Sequence, residues 1–224
     1  MEATVINLKS SKDRWKTIQK SFDGTGIHLI RVDPVKTRHL TKRVNSYHRG
    51  AFSLFFTVVK LLKDAKKKDL PNILILEDDS MPAANFSENW STIKEWLDTH
   101  TAQWDIYSGG STMIKDPKQV VKLDTVTFYR PKESWSANFI YIHKGAYDTV
   151  IDKYMKEYKE METVATNVTN YKVKLLISYP FVAYQKDGYS TLEKRHVKRT
   201  RRMKKVEDSL RKTRKVFTKR KSKN

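Results

Sequence analysis

Three consecutive acids, Glu77-Asp78-Asp79, close the run Asn72-Ile-Leu-Ile-Leu and are followed by Ser80-Met81-Pro82. An ionised carboxylate is rarely buried without a partner, so these side chains are not core. Carboxylate oxygens are hard ligands. Two or three of them together suit Mg2+ or Mn2+, and a cation held this way commonly also holds a phosphate. The alternative is an acidic turn that only caps the segment after it.

The elements around the acids decide where they sit. Ile73 to Leu76 is short and uncharged, with Pro71 before it and Pro82 beyond the acids. That is the pattern of a strand buried on both faces. In an open α/β sheet, ligands bind in the crevice beyond the carboxyl ends of the strands. Residues 3–8 read as a first strand and 27–32 as a second, ending at Asp33-Pro34. Between them, 12–22 has helical spacing with Trp15, Ile18 and Phe22 on one face. Ser10-Ser11 offers its N-cap and Gly24-Thr-Gly26 its stop. Strand, helix, strand in so short a span predicts a parallel sheet. The basic stretch 36–47 reads as a loop near the site. A helix opening at Arg49-Gly50 and running to about residue 68 carries Phe52, Phe55, Phe56, Val59 and Leu62 toward a core.

Downstream, 87–98 reads as an amphipathic helix with Trp90, Ile93 and Leu97. Strands are expected at 104–110, 120–129 and 137–142, a helix from Gly145 to about residue 159, and a last strand and turn over 173–184. The fold class is therefore α/β: a mostly parallel central sheet with antiparallel additions, flanked by helices. In such a sheet the ends of the first, second and acidic strands open on one side. Asn7, Arg14, Asp33 and the three acids then share one cleft.

Composition narrows the chemistry. The chain has 224 residues and no cysteine, which excludes disulfides and zinc-thiolate sites. No basic leader precedes a long apolar run, and no stretch is apolar enough to span a bilayer, so a cytoplasmic protein without a transmembrane segment is expected. The net charge of +20 is uneven: residues 194–224 hold 16 Lys or Arg against Glu207 and Asp208, leaving +6 for the rest. The body thus reads as one domain over 1–192, with a basic tail over 193–224 that is partly helical or disordered. Such a tail suits an anionic membrane surface or nucleic acid, or is a solvated appendage.

Several motifs in order resemble glycosyltransferase family 25 and the small GT-A glycosyltransferases of large algal DNA viruses. They are Ile6-Asn7-Leu8, Asp13-Arg14, the Gly50-led helix, Leu74-Ile-Leu-Glu77-Asp78-Asp79, Trp104-Asp105-Ile106, Pro180, Gln185 and Ser190. The family's Gly-Cys-x-x-Ser-His helix start stands here as Gly50-Ala51-Phe52-Ser53-Leu54-Phe55, and Thr166 to Asn170 replaces a late acid, which favours the viral-like branch. The resemblance implies a GT-A fold, a nucleotide diphosphate sugar as donor, with UDP favoured, and a glycan or glycoprotein acceptor. By it, Asp79 ligates Mn2+ or Mg2+ with Glu77, and Glu77 or Asp78 meets the ribose or a metal-bound water. Asn7, Leu8, Arg14 and Asp33 fall at the donor nucleotide. The rival reading is a metal-dependent nucleic-acid enzyme or a basic nucleic-acid-binding module.

Other residues are weaker candidates. Asp105 opens a strand ending in Gly109-Gly110, where a sugar could approach the backbone. An inverting transfer needs a carboxylate base near the acceptor hydroxyl, and Asp105, Asp187 and Asp148 are available. His143 and His48 are further possible ligands, although a hydrogen-bonded surface role is the commoner fate. Trp135, Tyr141 and Tyr184 are candidates to stack on sugar. The sequons at Asn85, Asn89 and Asn167 mean little without a secretory leader.

Overall fold

The structure, a computed structural model, describes residues 1–37, 46–160, 173–190 and 195–221, with backbone alone at 46–49, 154, 156–160 and 214–221. β1 (Glu2–Ile6), α1 (Lys12–Phe22) and β2 (His28–Val32) form the expected parallel unit. β1 also pairs in parallel with β3 (Asn72–Glu77) on its other side. α2 (Ser46–Lys67) crosses between β2 and β3. Ser11 occupies the N-cap position of α1 but makes no side-chain capping bond.

After β3 the chain runs through β4 (Ser80–Pro82), α3 (Phe86–Thr99), β5 (Ile106–Ser108), β6 (Met113–Lys115), β7 (Lys118–Lys122), β8 (Thr127–Arg130), β9 (Glu133–Trp135) and β10 (Phe139–His143). α4 (Tyr147–Glu160), β11 (Leu175–Tyr179), β12 (Ala183–Gln185), β13 (Gly188–Ser190), β14 (Arg195–Val197) and α5 (Arg199–Lys221) complete it. Eight strands form one sheet in the order β2-β1-β3-β10-β5-β11-β8-β7. β10 and β8 run against the other six. β12 pairs with β4, β13 with β14 and β6 with β9 as separate ribbons.

The sheet is the middle of three layers. Ile73 and Ile75 of β3 face the layer of α2 and α4, against Phe55, Val59 and Leu62. Leu74 and Leu76 face the opposite layer, against Ile18 and Phe22 of α1 and Trp90 and Ile93 of α3. This is the double-faced burial that an uninterrupted Ile-Leu run demands. The span 120–129 is not one strand. It is the β7–β8 hairpin, closed by Leu123 N donating to Val126 O at 2.8 Å. The polar pair Asp124-Thr125 makes the turn.

The basic segment does not begin as a tail. β14 pairs with β13, and α5 buries Met203 and Leu210 completely against Tyr129, Ile177 and Phe181. Glu207 on the same face accepts from Phe181 N at 2.8 Å and from Tyr184 Oη at 2.6 Å. Tyr129 Oη donates to Leu210 O at 3.2 Å. Met203, Val206, Glu207 and Leu210 recur at helical spacing, and the lysines and arginines between them mask that stripe in any charge average. The body therefore extends past the expected boundary at 192. Among the described residues, no helix is long and apolar enough to cross a membrane.

Candidate functional site at the acidic strand end

β1, β2 and β3 are parallel, so their carboxyl ends meet on one edge, and the acids emerge there. β4 turns back immediately and pairs with β12 in the register Ser80↔Gln185. Lys186 N donates to Asp79 O at 2.8 Å, Glu77 N donates to Asn138 O at 3.1 Å, and Ser80 Oγ donates to Asn138 O. The acidic corner is thus pinned from both sides. α1 is held against β2 by Arg31, whose guanidinium lies 5.5 Å from the Trp15 ring centre. This places Arg14 over the acids.

The three carboxyls are not equivalent. Asp78 is saturated: Oδ1 meets Arg14 Nη2 at 2.5 Å, and Oδ2 accepts from Asn7 Nδ2 at 2.6 Å. Asp79 Oδ2 accepts from Gln185 Nε2 at 3.0 Å and lies 3.5 Å from Arg14 Nη2. Among the described residues its Oδ1 is buried with no hydrogen-bond partner, and so is Oδ1 of the fully buried Asn7. Glu77 makes no side-chain hydrogen bond or ion pair among the described residues. Burial and the Asp79 charge raise its pKa to about 8. Burial raises Asp79 to about 6 against the pull of Arg14, and raises Asp78 as well. A cleft of about 320 Å³ opens over them, walled by Leu8, Pro34, Leu54 and Ser53 and closed by Arg199 at the start of α5. The Arg199 charge acts on both Glu77 and Asp79.

Orphaned buried oxygens and carboxyls that hold protons into the neutral range mark a place short of positive charge. Among the described residues no three His, Asp or Glu side chains converge on a ready metal cage. Mg2+ does not need one, since it keeps waters and takes one or two carboxylates together with substrate phosphates. Asp79 and Glu77 fit that donor set. Asp78, committed to Arg14 and Asn7, does not.

Of the expected site residues, the structure brings together Asn7, Leu8, Arg14, Glu77, Asp78 and Asp79. Asp33 is spent on the backbone, accepting from Lys9 N at 2.9 Å, and Pro34 takes the cleft wall beside it. Asp105 is at the other end of the sheet. It precedes β5, its backbone O accepts from His143 N, and its Oδ2 accepts from Lys174 N at 2.6 Å. His143 pairs with Asn72 at the amino end of β3, and its Nδ1 accepts from Gly145 N. Asp148 forms an exposed pair with Lys66 at 2.7 Å. Asp187 is close to the acids, but its Oδ1 accepts from Thr200 N at 2.8 Å and caps α5.

Tyr141 is buried, stacked on Trp104, Tyr184 is tied to Glu207, and Trp135 stays on the β6–β9 ribbon. Gly109 and Gly110 admit protein and not sugar. A Cβ on Gly109 would lie 2.6 Å from Phe139, and one on Gly110 would strike Ala183 O. The His48 side chain and Asn167 lie outside the described residues. Arg199 was not legible from sequence, because it stands within a run of basic residues. Gln185 entered only through the family resemblance.

No family model matches the chain, and no curated protein matches it. Among solved structures, A197 from STIV is similar over 88% of this chain and 93% of its own length, with a TM-score of 0.50 at 8% identity. A mannose-1-phosphate geranyltransferase from Thermus thermophilus aligns over 78% of this chain and 57% of its own length, at 8% identity and a TM-score of 0.37. At such identity the first likeness bears on the fold alone, and the second is too distant to bear on either fold or function. Sheet, flanking helices and fold likeness together define a GT-A-like α/β protein. An acidic cleft lies at the carboxyl ends of its parallel strands.

Proposed function

We propose that this protein is a metal-dependent glycosyltransferase. It moves a hexose from a nucleoside diphosphate sugar, UDP-linked by preference, to a hydroxyl of a glycan or glycoprotein. One observation carries this: two buried oxygens, on Asp79 and Asn7, unpartnered among the described residues, sit beside two arginines where parallel strands end. Leu8, Pro34 and Leu54 offer flat apolar walls to a base. Arg14 and Arg199 face the diphosphate. Mn2+ or Mg2+ on Asp79 and Glu77 would neutralise charge on the departing diphosphate. In the transfer, the acceptor oxygen bonds to the anomeric carbon and the bond from that carbon to phosphate oxygen breaks. The electron pair leaves with the diphosphate. The hydroxyl proton passes to a carboxylate, for which Asp187 is the candidate on the acceptor side.

Calorimetry with UDP- and GDP-sugars in Mn2+ tests this. Binding that needs the metal and disappears in Asp79→Ala is expected; no binding of any nucleotide sugar would overturn it. A second reading, binding of nucleic acid or an anionic membrane surface, draws on the exposed face of α5, where Arg201, Arg202, Lys204 and Lys205 are in solvent. Removing the segment does not separate the two, because that uncovers the pocket of Met203 and Leu210. Reversing Arg201, Arg202 and Lys205 to Glu does separate them. Nucleic-acid or vesicle affinity would collapse, while nucleotide-sugar binding would persist.

A further inference from the structure

The acids are served by two chambers. Beside the cleft already described lies a second cavity of about 260 Å³ that shares Arg14, Asp78, Asp79 and Ser190 with it. Its remaining walls are Thr17 of α1, Lys186, Asp187, Gly188 and Tyr189, and Val197 of β14. The two differ in kind. The first adds the apolar side chains of Ile6, Leu8, Pro34 and Leu54, suited to a flat heterocycle, to its acids and arginines. The second is lined by the hydroxyls of Thr17 and Ser190, the cations of Arg14 and Lys186, three carboxylates, Val197 and the ring of Tyr189.

That ring is unusual in its setting. Tyr189 is 53% exposed, the most exposed of the large hydrophobic residues described. It is nonetheless held in place. Tyr189 pairs with His196 across the β13–β14 ribbon, and the two rings meet edge to face at 5.6 Å and 71°. A tyrosine fixed this way offers a rigid amphipathic surface at small entropic cost. Arg14 and Lys186 in the same chamber are outnumbered by Asp78, Asp79 and Asp187, so the chamber does not select an anion. Val197 is its one aliphatic wall, too little for an apolar side chain. An exposed, fixed aromatic face beside hydroxyls, cations and carboxylates suits a ring with C–H groups on its face and hydroxyls on its edge.

We propose that the second chamber binds the acceptor as a single neutral saccharide ring laid on Tyr189, its edge hydroxyls turned toward the acids. The assignment rests on the glycosyl-transfer reading of the first chamber. Saturation-transfer NMR with methyl glycosides of glucose, galactose and mannose tests it directly. At least one glycoside binds the wild-type protein, at least tenfold more weakly in Tyr189→Ala and near normally in Tyr189→Phe. Calorimetry of the nucleotide sugar with Mn2+ is run on the same three proteins, with melting curves to confirm folding. No glycoside binding to the wild type, or equal binding to Tyr189→Ala, overturns the assignment. A Tyr189→Ala loss in nucleotide-sugar binding and not in glycoside binding also overturns it, giving the ring to the donor. Glycoside binding that depends on Tyr189 in a protein that binds no nucleotide sugar upholds the saccharide chamber and removes the transfer reading instead.

Discussion

Glu77→Gln reports directly on the electrostatics of the cleft. In the folded protein Glu77 titrates near 8, against an ordinary value of 4.5. A carboxyl raised in this way stabilises the fold while protonated. That stability is full below 4.5 and is lost as pH rises through 8. Between pH 6 and pH 8 the folded-state titration changes the unfolding constant by a factor of about 50, or about 2 kcal/mol. Water at the cleft mouth screens part of this, leaving roughly 1–2 kcal/mol. For a chain of this size the melting temperature of the metal-free protein should fall by about 3–6 °C from pH 6 to pH 8. Gln is a neutral isostere and keeps the protonated-state packing at every pH. Its melting profile should be flatter across that window and lie above wild type at pH 8. Histidine titration is common to both proteins and cancels in the comparison. Scanning calorimetry in chelator at pH 6, 7 and 8 measures it. Parallel profiles for the two proteins, or a wild type that gains stability toward pH 8, would refute the buried-carboxyl argument. The proposed metal gives the opposite slope, since Mn2+ must displace the proton. Its stabilising effect should be larger at pH 8 than at pH 6, and smaller in Glu77→Gln.

Arg14→Ala leaves Asp78 and Asp79 without their shared cation. We expect a loss of about 1–3 kcal/mol at pH 8, shrinking toward pH 6 as Asp79 protonates, read from urea midpoints at both pH values. Leu210→Ala opens a cavity in a site that is fully buried. A cost of about 2–4 kcal/mol in the same urea assay is expected, and a neutral result would return α5 to the status of a solvated tail. Gly110→Ala drives a methyl into Ala183 O and to within 2.6 Å of Met203 Cε, displacing the strand that carries Gln185. About 2 kcal/mol of destabilisation and weaker Mn2+ binding by calorimetry should appear together.

How far the sequence could be read depended on whether a signal was local. β3 and its acids were legible because an apolar run meets three charges within nine residues. The parallel opening was legible from spacing alone, and it correctly put Asn7, Arg14 and the acids on one edge. Asp105 was misplaced for a reason the sequence does contain. It precedes its strand, and β5 is parallel to β1 and β3, so it belongs to the opposite edge. Gly109-Gly110 looked like room for a ligand because sequence does not say who fills the space; Phe139, Ala183 and Met203 fill it. The basic segment hid its buried stripe, since hydrophobic positions three and four apart are diluted by long cationic side chains that can themselves lie outward.

That dilution also explains why the basic segment and the acidic cleft looked like separate features. α5 starts at the cleft: Asp187 caps it through Thr200 N, Thr200 Oγ1 donates to Gln185 O at 2.8 Å, and Arg199 lines the cleft, where its charge acts on Glu77 and Asp79. Three acids beside Arg14 and Arg199 carry one uncompensated negative charge when fully ionised, and a proton on Glu77 cancels it. The protein at neutral pH therefore tends toward a neutral cleft. A divalent cation displacing that proton would make the cleft positive, and only then would a diphosphate find a net attraction there. On this accounting metal and diphosphate load cooperatively. The diphosphate should bind poorly without metal, the metal weakly without diphosphate, and each should raise the other's affinity by the same factor. Paired titrations of Mn2+ and UDP in both orders measure that factor. A ratio of one would mean that Arg14 and Arg199 alone supply the charge, and the acids would then be a structural corner and not a metal site.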